Sequence, residues 1–309
     1  MTESPALRRC AGLLGLLVLG LSVALAAAGP AFDPHASWTY LERLVAFGPR
    51  PSGSPALSRA RAYIAGELKK VGVLAREQTF TAQTPDGPIR MVNVIGMLPG
   101  RQRDVIVLAG HYDTKYFPAF RFVGANDGGS SAALLLELAR SLTRASREFT
   151  YWIVFFDGEE ARREWSATDG TYGSRHMVAE LERTGQLSRI RAVVVVDMIG
   201  DKALNIRREL DATPWLTDLI WGSARRLGHR AHFLDEALSV EDDHSPFLRA
   251  GVPATLLIDF DYGPYWHTAE DTLDKLSPRS LGVVGEVLLD ALPALEAWLA
   301  RGETGGPAR

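Results

Sequence analysis

The sequence predicts a single α/β domain whose mostly parallel central sheet is flanked by helices. Three observations carry this. Apolar runs without polar alternation, above all "AVVVV" at 192–196, read as strands buried on both faces. These runs alternate with segments at helical spacing, the order that builds parallel sheets. Hydrophobic residues make up 46% of the 309, enough for one large core, and no internal repeat, low-complexity block or interdomain linker interrupts them.

The folded part is expected to start near Asp33. Ser54 to Gly72 carries apolar residues at helical spacing and ends on a glycine, so a helix is predicted there. "TAQTPDG" reads as a turn-rich connection, and "MVNVIGML" and "DVIVLAG" read as strands. Gly129 to Leu142 is rich in Ala, Leu, Glu and Arg and predicts a helix. A buried strand (151–157), a helix (171–185), the valine strand (191–200), a helix (213–228), a strand (252–260) and a closing helix (277–301) follow.

Residues 1–30 stand outside this domain. Arg8 and Arg9 precede an uncharged, mostly apolar run from Ala11 to Ala28, then Gly29-Pro30. The pattern reads as an export signal, which places the protein in a periplasm or outside the cell. The run is also long enough to read as a membrane anchor through residues 11–28. The domain is then 31–302, with 303–309 as a loose tail, and a lone domain of this size reads as a monomer. The 34 basic and 37 acidic residues nearly cancel, which argues against nucleic-acid binding. Cys10 is the only cysteine, so the domain has no disulfide and no thiolate ligand, and a metal here must be held by His, Asp and Glu.

Ligands in such folds collect beyond the C-terminal ends of the strands. His111 and Asp113 follow one apolar run, and Asp127 stands just before a helix. Asp157, Glu159 and Glu160 end the next strand, and Asp197 ends the valine strand. Asp242, Asp243, His244 and His267 lie near the last strand. Each has an ordinary reading, such as a helix cap for Asp127 or a wet loop for the two glutamates. Their shared placement argues instead for a metal site, in which one of two adjacent glutamates ligates and the other moves protons.

The motifs "HYDTKYF", "FVGANDGG", "FFDGEEARREW", "YGSRH", "DDHSPFLRAGVP" and "YWHT", in this order, resemble the glutaminyl-peptide cyclotransferases, relatives of the zinc-dependent M28 aminopeptidases. The resemblance runs from about Trp38 to the last helix. It implies a zinc aminopeptidase-like three-layer fold, as in α/β hydrolases. It also implies one Zn2+ held by Asp127, Glu160 and His267, with Glu159 shuttling protons and supported by Asp197 and Asp242. Trp165, Trp266 and Lys115 fall in the substrate pocket. The implied reaction turns the N-terminal glutamine of peptides or proteins, with glutamate as a secondary candidate, into pyroglutamate and ammonia. Asp197 is expected to hold Asp242 through a short hydrogen bond. Two departures stand out. The disulfide of animal members is absent, and a histidine that many of them carry after "GVP" is Leu256, which removes a polar group expected near the pocket. The rival reading is an aminopeptidase that binds two zincs through His111, Asp127, Glu160, Asp197 and His267. A non-catalytic binding domain is the third, disfavoured because the metal and acid–base residues are all present.

Overall fold

The computed structural model describes residues 31–302, so the signal-or-anchor segment 1–30 and the tail 303–309 lie outside the described residues. Among the described residues no helix is long and apolar enough to cross a membrane. A six-stranded sheet forms the centre, in the order β1 (Leu74–Thr84), β2 (Gly87–Leu98), β4 (Thr150–Phe156), β3 (Val105–His111), β5 (Ile190–Asp197) and β8 (Ala254–Ile258). Its parallel part is β3, β4, β5 and β8, the four apolar runs of the sequence. All but three residues of these strands are buried, which is why they lack alternation.

The other edge is antiparallel: β1 and β2 form a hairpin, and β2 pairs with β4. This corrects the turn-rich reading of "TAQTPDG", in which only Pro85 and Asp86 lie between the strands. β1 is an edge strand with Gln78 and Ala82 its only buried residues, so it carries almost no hydrophobic signal.

Helices cover the sheet in two sets. From β3 the chain passes through α3 (Ser131–Leu142) to β4 on one side, then through α4 (Tyr172–Arg183) back to β5 on the other. Right-handed crossovers in opposite directions put these two helices on opposite faces. α1 (Pro34–Ala46) and α7 (Pro278–Ala300) pack with α3, α2 (Pro55–Lys70) also meets α3, and α5 (Pro214–Arg226) packs on α7. α6 (His244–Arg249) packs with α4. The reversal at β3 opens a crevice at the strand ends, where such folds bind ligands. A small parallel pair outside the main sheet, β6 (Ile206–Glu209) and β7 (Phe233–Leu238), was not expected, and it delivers the loop that carries Asp242.

Candidate metal and active site

The nine residues expected to hold zinc, move protons or form the substrate pocket all line one cavity of about 600 Å³: Lys115, Asp127, Glu159, Glu160, Trp165, Asp197, Asp242, Trp266 and His267. The sheet register explains part of this. Ala109 pairs with Val195, so His111 and Asp197, two residues further along parallel strands, come side by side, and His111 Nε2 lies 3.1 Å from Asp197 Oδ1.

Asp127 sits between two histidines. Its Oδ1 is 3.2 Å from His111 Nε2, and its Oδ2 is 3.3 Å from His267 Nε2. Asp127 does not cap the helix that follows. It occupies an irregular turn, Ala125–Ser130, with extended ψ at Asp127 and φ +75° at Gly128. A side chain at Gly128 would place its Cβ 2.4 Å from the Asp113 carbonyl oxygen, so this turn requires glycine. Two buried residues hold the turn. Asp271 accepts from the Asn126 and Asp127 amides (2.8 and 3.1 Å) and from the Tyr262 hydroxyl (2.8 Å). The Arg50 guanidinium donates to the carbonyls of Tyr112, Val123 and Gly124. Sequence reasoning found neither, because their partners are distant main-chain atoms that leave no local pattern.

The paired glutamates diverge. Gly158, at φ +73°, makes the bend after β4, and a Cβ there would meet Met91 Sδ at 2.5 Å. Glu160 then turns to His267, with its Oε2 3.3 Å from Nε2, while its Oε1 accepts from the Lys115 amide at 3.0 Å. Glu159 turns the other way, with Oε2 4.0 Å from His111 Nδ1. Lys115 lines the cavity as expected, but its ammonium donates to the Ala161 carbonyl at 2.9 Å, so it braces the glutamate loop.

Asp197 and Asp242 both face the cavity, yet among the described residues no hydrogen bond joins them. Asp197 Oδ1 instead accepts from the Met198 amide and meets His111, and Asp242 Oδ1 accepts from the Asp243 amide. The loop holding Asp242 is anchored by a buried contact, His244 Nε2 to Glu209 Oε2 at 3.3 Å, which the sequence did not suggest. Trp165 and Trp266 are 40% and 37% exposed, so they form the rim of the cavity and do not close over a slot. Asp169 fixes the Trp165 loop by accepting from the amides of Arg162, Arg163 and Glu164. Leu256 does not line the cavity. It is fully buried in β8 opposite Val195, and Ile258, on the same face and nearer the strand end, supplies the cavity wall. The polar group expected near the pocket is therefore replaced within the core behind it.

The carboxylates crowd in a dry site, and burial dominates their protonation. Burial, then the Asp127 charge, pushes Glu160 up to about 7. Burial also pushes Glu159 well above its ordinary value, against the pull of His111. Asp242 rises to about 6 through burial and then Asp197. Burial works the same way on Asp127, but the two imidazoles outweigh it and hold the carboxyl well below its usual range. His267 goes up to about 10: burial opposes this, and Asp127 and Glu160 prevail. A positive charge between Asp127, Glu160 and His267 is what the protein groups favour.

These three residues can direct one atom each into a common space, with all ligand atoms within 4.8 Å of one another. His111, Asp127 and Asp197 form a second such group that shares Asp127. Asp127 Oδ2 is buried without a hydrogen-bond partner, which is costly unless a cation meets it. The donor set, imidazole nitrogen with two carboxylate oxygens, suits zinc. Asp271→Ala is expected to weaken metal binding about 10–100-fold, the usual effect of losing an outer partner. A chelator-competition titration reads this directly.

Residues 93–292 match peptidase family M28. The glutaminyl-peptide cyclotransferase-like protein of Bos taurus is 34% identical over 288 residues, spanning 83% of this chain and 74% of its own. The glutaminyl-peptide cyclotransferase of Bos taurus is 32% identical, spanning 77% of this chain and 76% of its own. Among solved structures, the glutaminyl cyclase of an Acidobacteriales bacterium is 42% identical with a TM-score of 0.84, covering 88% of this chain and 97% of that one. A leucine aminopeptidase precursor from Bacteroides thetaiotaomicron superposes at a TM-score of 0.78 with 25% identity, covering 86% of this chain and 98% of that one. The fold alone therefore does not separate the two activities, whereas the sequence relatives do. The chain belongs to peptidase family M28 and, within it, to the glutaminyl-peptide cyclotransferases, a family of acyltransferase enzymes.

Proposed function

We propose that this chain is an exported, zinc-dependent enzyme that cyclises the N-terminal glutamine of peptides to pyroglutamate and releases ammonia. The observation that carries the reading is the divergence of Glu159 and Glu160 within one cavity. Glu160 is committed to His267 and Lys115, while Glu159 faces the cavity with its carboxyl free to exchange a proton.

When bound, zinc supplies Lewis acidity toward the substrate's side-chain amide carbonyl. Asp127, Glu160 and His267 would hold it. The substrate's α-amine forms a bond to its own side-chain amide carbon, and the carbon–nitrogen bond of that amide breaks. Glu159 takes the proton that the amine loses and returns it to the departing nitrogen, so no net proton is consumed. A carboxyl raised by burial suits this exchange, because it holds the amine's proton more firmly than an exposed glutamate does. Asp242 faces the same space and can accept from the substrate's nitrogen groups. Trp165 and Trp266 border the glutamine chain, and holding it curled brings amine and amide together.

If the tryptophans act by holding substrate, Trp165→Ala and Trp266→Ala raise KM by roughly tenfold and change kcat less, since one lost apolar contact surface is worth about 1–3 kcal/mol. Steady-state kinetics on a glutamine-initiated peptide measure the split. The activity itself is tested with two fluorogenic amides, one of glutamine and one of leucine. Ammonia from the first without fluorophore release from either supports cyclisation. Fluorophore release from the leucine amide would make the chain an aminopeptidase.

A further inference from the structure

A second cleft adjoins the central cavity and encloses about 420 Å³. Its floor is rigid, built on the rings of Pro49, Pro51 and Pro55. Its wall is aromatic. Phe117 stacks on Phe120 with centroids 4.5 Å apart and meets Phe122 edge-on at 5.4 Å. Tyr116, 47% exposed, stands on the same wall.

Two features join this cleft to the catalytic cavity. Lys115 lines both. The rings of Phe117 and Phe122 also pack edge-on against His267, at 5.5 and 5.8 Å, so the imidazole forms a shared partition. Charge differs across the partition. No carboxylate lines the second cleft, while an exposed Arg59 does, and Arg59 has no ion-pair partner among the described residues. The central cavity has Arg163 in its lining as well, but also the carboxylates of Glu164, Glu241 and Asp242.

We propose that the second cleft receives the substrate segment just beyond the N-terminal glutamine, and that it selects an aromatic side chain followed by a carboxylate. The inference rests on the cyclase reading of the central cavity. Residue one lies in that cavity, and each further residue of extended peptide advances only about 3.3–3.6 Å, so the neighbouring cleft is in reach of residues two and three. The proline floor and stacked phenylalanines are fixed before substrate arrives, so an aromatic ring docks with little ordering cost. Arg59 then attracts the carboxylate, and the glutamates of the central cavity repel it.

The test compares ammonia release from the amides of Gln-Phe-Glu-Ala, Gln-Phe-Lys-Ala and Gln-Ala-Ala-Ala. Wild-type enzyme is expected to prefer the first over the third by roughly tenfold in kcat/KM, the scale of one side chain in an apolar pocket. Phe120→Ala should bring that ratio toward one. Arg59→Glu should reverse the order of the first two peptides. Ratios within one variant cancel any loss of folded enzyme. Equal rates on all three wild-type reactions, or preferences unchanged in both variants, overturn the subsite and leave the cyclase reading standing. No ammonia from any peptide removes the cyclase reading and the subsite with it.

Discussion

Glu159→Gln is expected to lower kcat/KM for cyclisation by about 10²–10⁴-fold, the range that a positioned proton carrier contributes. Metal content should be unchanged, because Glu159 turns away from His267 and stands outside the Asp127–Glu160–His267 group. Stability should not fall. Burial disfavours the Glu159 carboxylate, and a neutral amide of the same size removes that penalty at pH 8. The expected variant is thus folded, metal-loaded and inactive. Metal analysis, thermal unfolding and a rate assay on one preparation check all three. A variant that keeps more than roughly a tenth of wild-type activity would remove Glu159 from proton transfer.

Metal removal should have the other large effect. Stripping zinc is expected to abolish activity and to lower Tm by an amount that grows with pH. Glu160 is raised to about 7 and Asp242 to about 6 in the folded protein, above their ordinary values near 4. A raised folded value means that the fold holds a proton the unfolded chain has already lost. Its contribution to stability is full below about pH 4 and is lost as pH rises through about 7. The stripped protein should therefore weaken between pH 5 and 8. With the metal's charge in place, that loss is offset. At roughly 2–4 °C per kcal/mol, the gap between loaded and stripped protein should widen by several degrees over this range. Thermal unfolding of both forms at pH 5, 6, 7 and 8 tests the sign. A constant or narrowing gap would mean that the crowded carboxylates are not where the cation binds.

Much of this site was legible because its residues sit where apolar runs stop. Glu160 and Asp197 follow apolar runs that became parallel strands, Asp127 precedes the run that became α3, and the register of β3 on β5 sets Asp197 beside His111. What was not legible depends on partners far away in the chain. Arg50 braces the Asp127 turn from more than seventy residues away, and Asp271 from 144. Glu209 reaches His244 through a two-stranded sheet too short and too mixed to announce itself. The edge strand β1 was hidden because an exposed strand needs little hydrophobicity. Leu256 shows the limit of position matching, since a residue two places from the cavity wall belongs to the core.

The most direct measurement is mass spectrometry of a glutamine-initiated peptide incubated with the zinc-loaded domain, beside Glu159→Gln and a spontaneous-cyclisation blank. The account predicts a product lighter by one ammonia, no shorter peptide, and no conversion above the blank in the variant. Free glutamine with a peptide one residue shorter would contradict it. The chain would then be an aminopeptidase, with His111 and Asp197 as ligands of a second metal.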